Sequence, residues 1–436
     1  IVELSASEVD ACLQSSVLHY TISNYIASAQ IDSFKVIVPY AARQMLRDDT
    51  IDYIVRTAEI KYLIQLVRDC NLLGENTSIS RVFAGVVDNI DVLNDGYMVT
   101  ASIIYTLLNN DEFDVVSIPD EYADAATEEK LLGYNSSNIW KAEIANLINA
   151  LDEIMGVTKT LDAAAAEGLE GEERYAAFDI TAIDLDEQIA ALINDLEGAS
   201  YLSEDTTKLR LCMASKVVAH SITEKLDEYL AEAGIESKYI DASKDSNLNY
   251  KVEELEALNR AKDIFGIEEL NNIDREELIA SVKEKVLSLN DEYSDGKTIL
   301  QVIYPSHIIM GMLSDELENI LLDKNSSPSK PLINSQILAI IRNNSMRYAQ
   351  SEIRNLVNAI KAFEVEDFDS INTLDANSLK GMDESNVDII CLSDIMRGVL
   401  TKQIYDNLCV YTTESGNTDI VDHTLAYEKN VRLYRV

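Results

Sequence analysis

Apolar residues recur every three to four positions along most of the chain, and this spacing predicts α-helices. The longest such stretch runs from Ser329 to Phe363. Its apolar positions are Ile333, Ile337, Ile340, Ile341, Tyr348, Ile353, Leu356, Val357, Ile360 and Phe363. Pro331 suits a first helical turn because its missing N–H would be unpaired there. No Gly or Pro follows before Gly381, so the pattern predicts one rod of roughly 45 Å along which other helices must lie.

The same spacing predicts a succession of further helices. They cover residues 5–30, 41–47, 51–73, 80–93, 98–108, 137–155, 185–196, 206–233, 251–265, 274–289, 298–322 and 389–408. Two short β-branched runs, 34–38 and 113–118, are compatible with strands or buried connectors. Residues 161–175 combine an Ala run with Gly168 and Gly171, which predicts an exposed helix end and a loop.

The end of the chain has a different composition. Residues 408–412 and 424–436 are rich in Val, Tyr, Leu and Thr and flank Glu414–Asn417. Such runs separated by turn-forming residues predict a terminal β-hairpin. Its last strand could also add to the sheet edge of a neighbouring protein.

These patterns together predict a mainly α fold of elongated multi-helix bundles with a small C-terminal β element. Gly (15) and Pro (5) are scarce for 436 residues, which favours long helices over a many-stranded sandwich. Polar links near residues 125 and 245 predict three domains: 1–125, 126–245, and a long-helix domain, 246–436. We find no internal repeat and no low-complexity tract in the sequence, so none is expected in the structure.

The charge balance narrows the classes of partner. Against 36 basic residues stand 76 acidic ones, a formal net charge of −40. Such a field repels nucleic-acid phosphates and anionic lipid, so we expect no direct nucleic-acid or membrane binding. A solvated acidic surface is the simplest interpretation. An acidic binder of basic proteins is an alternative, although the acids are spread along the chain.

Cysteine usage and hydropathy bear on the compartment. The five cysteines (Cys12, Cys70, Cys212, Cys391 and Cys409) are odd in number and far apart, which is typical of a reducing compartment. No apolar run reaches the length of a membrane span, and no signal-peptide pattern is present. The chain begins at Ile1 rather than Met, which leaves processing and truncation both open.

Residues with catalytic or metal-binding chemistry do not form a recognisable motif. The four histidines, His19, His220, His307 and His423, are far from one another and from any Cys at helical spacing. Gly296-Lys297-Thr298 has the last residues of a phosphate-binding loop, but the earlier glycine of that loop is replaced by Asp291. We therefore assign no catalytic, cofactor-binding or metal-binding residue and expect no cofactor.

An enzyme with a site assembled from distant residues is the alternative from another class. His307 is its first candidate because it follows Tyr304-Pro305-Ser306 at a predicted helix start, and His220 is its second. Cys12, Cys212 and Cys391 occupy positions where helix core residues are expected, so we interpret them as packing residues.

The leading hypothesis is a structural or interaction protein and not a catalyst. Long predicted helices and 21 tyrosines suit extensive contacts with other protein subunits, in a homo- or hetero-oligomeric assembly. The general character of the chain and its non-Met start favour a virus or phage particle. There it would be a capsid-associated, tail-associated or packaged internal protein. The expected location is a virion or a reducing cytoplasm.

Overall fold

The fold is described from a computed structural model. The residues it describes are 4–28, 60–61, 64, 68, 79–88, 137–194, 207–246, 248–294, 296–322, 331–368, 370–371, 374, 376–379 and 381–414. The predicted strands at 34–38, 113–118 and 424–436 lie outside these ranges, as do the predicted helices at 41–47 and 98–108.

Helices make up almost all of the regular structure in the described residues, which confirms the mainly α prediction. The α-helices are Ala6–Gln14, Ser16–Ser28, Ile79–Asp88, Ser137–Met155, Val157–Ala166, Gly171–Ala176, Leu185–Asn194, Lys208–Ala214, Lys216–Glu232, Ser237–Ser243, Val252–Phe265, Arg275–Lys285, Ile299–Ile303, His307–Leu322, Ser335–Arg342, Gln350–Ala362, Glu384–Ile390 and Asp394–Glu414. Short 3-10 helices lie at Ile180–Ala182, Leu270–Asn272, Val286–Ser288 and Ala376–Leu379.

The small β element lies in the middle of the last third of the chain. Strands Glu292–Ser294 and Lys297–Thr298 pair antiparallel, with Glu292 opposite Thr298 and Ser294 opposite Lys297. The predicted hairpin strand at 408–412 was wrong, because these residues continue the helix Asp394–Glu414. Their β-branched residues favour strands only weakly, and a helix already packed through its first turns overrides that preference.

The chain divides into two compact units, each with its own core. The N-terminal unit comprises Ile1–Ala199, Glu204–Lys225 and Ser246–Asn249, and the C-terminal unit comprises Ser200–Ser203, Leu226–Asp245 and Tyr250–Val436. Buried residues of the first unit include Phe83, Val86, Leu147, Leu151, Leu161 and Val218. Those of the second include Leu255, Leu258, Ile308, Ile309, Leu313, Leu356, Val357, Ile360 and Val399. The three predicted domains stay a prediction.

Four of the predicted long helices are interrupted, each at or just before a serine. The interruptions fall at Ser15, Ser215, Ser306 and Ser393. At the first two the backbone is extended, with ψ of 115° and 125°. Each serine Oγ accepts a hydrogen bond from the N–H three residues later: Leu18 (3.4 Å), Val218 (3.3 Å), Ile309 (3.1 Å) and Met396 (3.1 Å). Each is therefore the N-cap of a new helix.

The single rod predicted for 329–363 was also wrong. It is two helices, Ser335–Arg342 and Gln350–Ala362, joined by a turn in which Asn343 and Asn344 both have φ of 54°. Asn tolerates this left-handed conformation better than most residues, because its short polar side chain hydrogen-bonds locally. The apolar spacing continues through the turn, so periodicity alone could not locate the break.

The expectation of no internal repeat was wrong as well. Residues 235–273 and 333–371, which belong to the C-terminal unit except for Ser246–Asn249, have the same succession of elements at a constant offset of 98 residues. Their short helices begin at Ser237 and Ser335, and their long helices are Val252–Phe265 and Gln350–Ala362. Between 250 and 273 the identical pairs are Tyr250/Tyr348, Glu254/Glu352, Leu258/Leu356, Ala261/Ala359, Phe265/Phe363, Glu268/Glu366 and Ile273/Ile371.

The ends of the two long helices match in backbone conformation too. After Phe265, Gly266 has φ of 71°, and after Phe363, Glu364 has φ of 57°. The next residue then donates back into the last turn, Ile267 to the Lys262 carbonyl (2.9 Å) and Val365 to the Ile360 carbonyl (3.4 Å). This is the left-handed closure typical of helix C-termini. The same stop therefore ends both copies.

The repeat extends to the helices that follow the four interrupting serines and to helix Ile79–Asp88, which contains Ser80. Five segments share a serine followed by apolar residues at the second, third and seventh positions after it: Ser15–Ser23, Ser80–Asp88, Ser215–Thr223, Ser306–Ser314 and Ser393–Thr401. We call the helices containing these segments the serine helices. We call Val252–Phe265 and Gln350–Ala362 the glutamate helices, after the shared Glu254 and Glu352.

Candidate functional site

The most distinctive polar arrangement of the C-terminal unit joins a glutamate helix to the serine helix after it. Glu254 is buried (1% exposed) inside the first glutamate helix. Its carboxylate accepts hydrogen bonds from Ser306 Oγ (2.6 Å), the His307 N–H (2.6 Å) and the Ile308 N–H (3.4 Å). Ser306 Oγ in turn accepts from the Ile309 N–H. The first three N–H groups of helix His307–Leu322 therefore all have an acceptor.

The second copy repeats this arrangement atom for atom. Glu352 is buried (6% exposed) and accepts from Ser393 Oγ (2.6 Å), the Asp394 N–H (3.0 Å) and the Ile395 N–H (3.0 Å). Ser393 Oγ accepts from the Met396 N–H. Both serines are fully buried. We call the two arrangements the buried caps.

A carboxylate is suited to this position for two reasons. It accepts several hydrogen bonds at once, and a negative charge is favourable at the positive end of a helix dipole. Burial raises the pKa of Glu352 above its ordinary value, although the hydrogen bonds from Ser393 and Ile395 act in the opposite direction. The hydrogen bonds thus offset part of the cost of burying a charge.

A third copy is visible in the N-terminal unit. The sequence Glu143-Ile144-x-Asn146-Leu147 matches Glu352-Ile353-x-Asn355-Leu356. Asn146 Nδ2 donates to the Ala214 carbonyl (3.1 Å), and Asn355 Nδ2 donates to the Leu392 carbonyl (3.1 Å). Each of these carbonyls belongs to the residue before a capping serine. Helix Ser137–Met155 is therefore placed against Ser215 as helix Gln350–Ala362 is placed against Ser393.

A second polar cluster also recurs, twelve residues after the capping serine. Tyr250 donates its hydroxyl to Asp227 (2.6 Å), which also pairs with Lys244. In the next copy, Tyr348 donates to Glu318 (3.0 Å), which also pairs with Arg342 (3.0 Å). Lys244 and Arg342 lie over the rings of Tyr250 and Tyr348, at 5.5 and 5.6 Å from the centroids. We call these the acid–base–tyrosine clusters.

The second of these clusters is extended by Asp315. Its carboxylate accepts from Lys238 Nζ (2.5 Å), the Tyr239 hydroxyl and Arg342 Nη1 (2.9 Å). Burial by itself would raise the pKa of Asp315, but the hydrogen bonds from Lys238, Tyr239 and Arg342 outweigh it and lower that pKa. Asp315 is thus held as a carboxylate at neutral pH and ties the two short helices to helix His307–Leu322.

Each short helix packs closely against the next serine helix at a glycine. The face of Gly311 lies against the ring of Tyr239, and that of Gly398 lies against Ile333 and Ile337. Tyr239 and Ile337 are equivalent at the offset of 98 residues. A Cβ at either glycine would overlap its neighbour, so the absence of a side chain permits the close approach.

The two candidate histidines belong to different units. His307 Nδ1 lies 3.3 Å from Glu254 Oε2, within the first buried cap. The equivalent residue in the second cap is Asp394, so the cap itself does not require histidine. His220 is buried, and its Nε2 lies 3.5 Å from Glu224 Oε1. It occupies the position of Gly311 and Gly398 in its serine helix.

Other residues singled out in the sequence have local structural roles. Burial raises the pKa of the Cys212 thiol to about 12, which removes the thiolate at neutral pH. Cys12 and Cys391 are half-buried and form no disulfide bond among the described residues. Thr298, the last residue of Gly296-Lys297-Thr298, caps helix Ile299–Ile303 in a reciprocal exchange with Gln301.

Two findings concern metal and membrane sites among the described residues. No group of three or more His, Cys, Asp or Glu among them could hold a metal ion. None of the described helices is both long and apolar enough to span a bilayer.

Sequence reasoning missed the capping residues because Glu254 and Glu352 look like ordinary surface acids in so acidic a chain. A usable signal did exist. The pattern Glu-[Ile/Leu]-x-x-Leu occurs at Glu59, Glu143, Glu254 and Glu352, and a serine segment follows each one along the chain. No family model, curated protein or solved structure matches the chain.

Proposed function

We propose that this chain is a non-catalytic helical-repeat protein that serves as a structural component of a larger protein assembly. The observation that carries the proposal is the repeated buried cap, in which a buried glutamate holds the first turn of the serine helix that follows it. The buried polar residues Glu254, Ser306, Glu352 and Ser393 are thus accounted for by packing within the repeat.

Repeat construction suits such a function. In repeat proteins each copy is stabilised mainly by its neighbours, so the residues facing solvent are free to vary. The residue after the capping serine illustrates this freedom, since it is His307 in one copy and Asp394 in another. A series of similar elements with different exposed residues offers several docking positions for other subunits.

The net charge of −40 favours assembly with proteins that present basic surfaces. A virus or phage particle is the assembly we propose, with the chain as a capsid-associated, tail-associated or packaged internal protein. That setting predicts a fixed copy number per particle.

The test is the mass of the native complex, measured on material from the natural source with co-purifying proteins identified by mass spectrometry. We expect the chain in a particle much heavier than 48.6 kDa, at constant stoichiometry to its partners. Recovery of the chain alone as a monomer would contradict the proposal. Particles that form normally without the chain would contradict its structural role.

A further inference from the structure

The end of helix Glu384–Ile390 presents exposed apolar side chains to solvent. Ile389 is 36% exposed, and Leu392, in the turn that follows, is 61% exposed. The Leu392 N–H donates to the Ile389 carbonyl (3.2 Å), so the two residues lie in the same turn. The helix itself is packed, since Ile390 is fully buried and the helix contacts Gln350–Ala362. We call the surface formed by Ile389 and Leu392 the open face.

The equivalent positions of the first copy are covered. Residues 299–306 correspond to residues 386–393, so Ile389 is equivalent to Val302 and Leu392 is equivalent to Pro305. Val302 is 1% exposed and Pro305 is half-buried. Helix Ile299–Ile303 packs against the glutamate helix before it and the one after it. No glutamate helix follows helix Glu384–Ile390 in the part of the chain that the structure describes.

Acidic residues adjoin the open face. Asp388 lies one helical turn before Leu392, and Glu384 lies one turn before Asp388. Both acidic residues are exposed. A segment that covers Ile389 and Leu392 therefore meets carboxylates on the same side of the helix. This arrangement favours a segment that combines apolar residues with basic ones.

Residues 424–436 of this chain have that composition. They contain three basic residues, Lys429, Arg432 and Arg435, against one acidic residue, in a chain whose net charge is −40. The apolar residues among them are Leu425, Ala426, Tyr427, Val431, Leu433, Tyr434 and Val436. The segment lies outside the described residues. Its charge is opposite to that of the whole chain and complementary to that of the acids beside the open face.

The segment is also within reach of the open face. Helix Asp394–Glu414 has 21 residues and is therefore about 31 Å long, and Leu392 precedes its first turn. Between Glu414 and Val431 the chain advances 17 residues, which span up to roughly 56 Å when extended. The connection is thus longer than the helix along which it must return.

We propose that residues 424–436 bind to the open face of their own chain. Their apolar side chains cover Ile389 and Leu392, and their basic side chains pair with Glu384 and Asp388. Repeat proteins need a capping element over the apolar face of an end copy, and this segment is that element for the second copy. The inference goes beyond the proposed function and does not depend on it, because both sides of the contact belong to this chain.

The test is photo-crosslinking in the full chain, with p-benzoylphenylalanine in place of Leu392. The crosslinked peptides of the monomer-mass product are identified by mass spectrometry. We expect crosslinks from position 392 to residues 424–436 within one chain. Absence of these crosslinks would overturn the inference. So would crosslinks to the segment that occur only in covalent dimers, because the occupant would then be a second copy, or crosslinks only to co-purifying proteins.

Ile340 is the matched control position. It is 76% exposed and belongs to the same unit, but its helix, Ser335–Arg342, contains no acidic residue. The same photoreactive group in place of Ile340 should give no crosslink to residues 424–436. Equal yields from the two positions would overturn the inference, because the segment would then contact exposed apolar residues without selection. Leu392 and Ile340 are both exposed, so both proteins should keep the helical circular dichroism of the parent.

A pair of double variants tests the charges of the segment in the protein that carries the photoreactive group at position 392. Arg432→Glu with Arg435→Glu should lower the crosslink yield by about threefold or more, because attraction to Glu384 and Asp388 becomes repulsion. Arg432→Lys with Arg435→Lys keeps both charges and should keep the yield. Equal yields from the two double variants would overturn the inference.

Discussion

The two buried caps of the C-terminal unit have the same kinds of donor and the same acceptor, but different surroundings. The residue after the serine is His307 in the first cap and Asp394 in the second. The glutamate helix ends in Gly266 in the first copy and in Glu364 in the second. A tyrosine ring packs on the glycine of the first serine helix, and isoleucines pack on that of the second.

This comparison separates what the repeat requires from what it tolerates. A buried glutamate and a serine are present in both copies, because three N–H groups and a hydroxyl would otherwise lack acceptors in the interior. The neighbouring residues differ because they face solvent or can be accommodated by repacking. The proximity of His307 to Glu254 is therefore explained by its place at a capped helix start.

The largest expected effect comes from removing either capping carboxylate. Glu254→Ala and Glu352→Ala should each lower the free energy of unfolding by roughly 3–5 kcal/mol, because several buried donors lose their acceptor together. Urea denaturation followed by circular dichroism measures this loss. Glu253→Ala, an exposed neighbour, should change the stability by less than about 0.5 kcal/mol. A large loss in only one copy would contradict the equivalence of the caps.

The glycines at the packing positions should distinguish the two copies. Gly311→Ala pushes a Cβ into the ring of Tyr239, which is buried and held by Asp315, so we expect a loss of about 1–3 kcal/mol. Gly398→Ala meets the end of the Ile333 side chain, which can change rotamer, so its loss should be smaller. Thermal or urea denaturation of the two variants shows which of them loses more stability. A larger loss for Gly398→Ala would show that repacking around Ile333 is not available.

The raised pKa of Glu352 predicts a pH dependence that Glu352→Gln should lack. The folded state binds this proton more tightly than the unfolded state does. The group's stabilising contribution is therefore fully present below its ordinary pKa of 4.5 and is lost as pH rises through the folded value. Relative to Glu352→Gln, the unaltered chain should lose stability as pH rises above 4.5.

The measurement for this pH prediction is urea denaturation of both proteins across pH 4 to 8. The contributions of the other acidic residues to the pH dependence cancel when the stabilities of the two proteins are subtracted. Glu366→Gln removes an exposed carboxylate in the same copy and controls for net charge. A difference that grows in favour of the unaltered chain as pH rises would reverse the expected sign and contradict the raised pKa.

The smallest expected effect concerns the left-handed residue after each glutamate helix. Glu364→Gly should stabilise the chain by about 0.5–1 kcal/mol, because glycine adopts φ of 57° without a Cβ penalty. Gly266→Ala in the other copy should destabilise it by about 1 kcal/mol for the same reason. Differential scanning calorimetry can detect both shifts. No gain from Glu364→Gly would indicate that the Glu364 side chain stabilises the turn by itself.

Much of the fold could be predicted from the apolar spacing. Helices Ser137–Met155, Leu185–Asn194 and Val252–Phe265 begin and end within two residues of the prediction. These helices are bounded by local signals or polar links, so their ends can be read from short stretches of sequence. The mainly α class followed from the same evidence.

The interruptions could not be predicted in the same way. At Ser215 and Ser306 the apolar pattern continues across the break, because the residues on both sides are buried. A serine in a helical pattern is compatible with either a continuous helix or a cap. The choice depends on whether folding places an acceptor and a packing partner at the break. At Ser306 that acceptor is Glu254, which lies 52 residues earlier in the chain.

The sequence by itself therefore determined the helical class, the acidic surface and most positions of the core. Only the tertiary structure decided where the helices stop, that the chain repeats, and that Glu254, Glu256 and Glu352 are buried among its many glutamates. The physical reason is distance along the chain. Helix formation is governed by neighbours three and four residues away, whereas a buried carboxylate is stable only where folding brings donors from a separate helix to it.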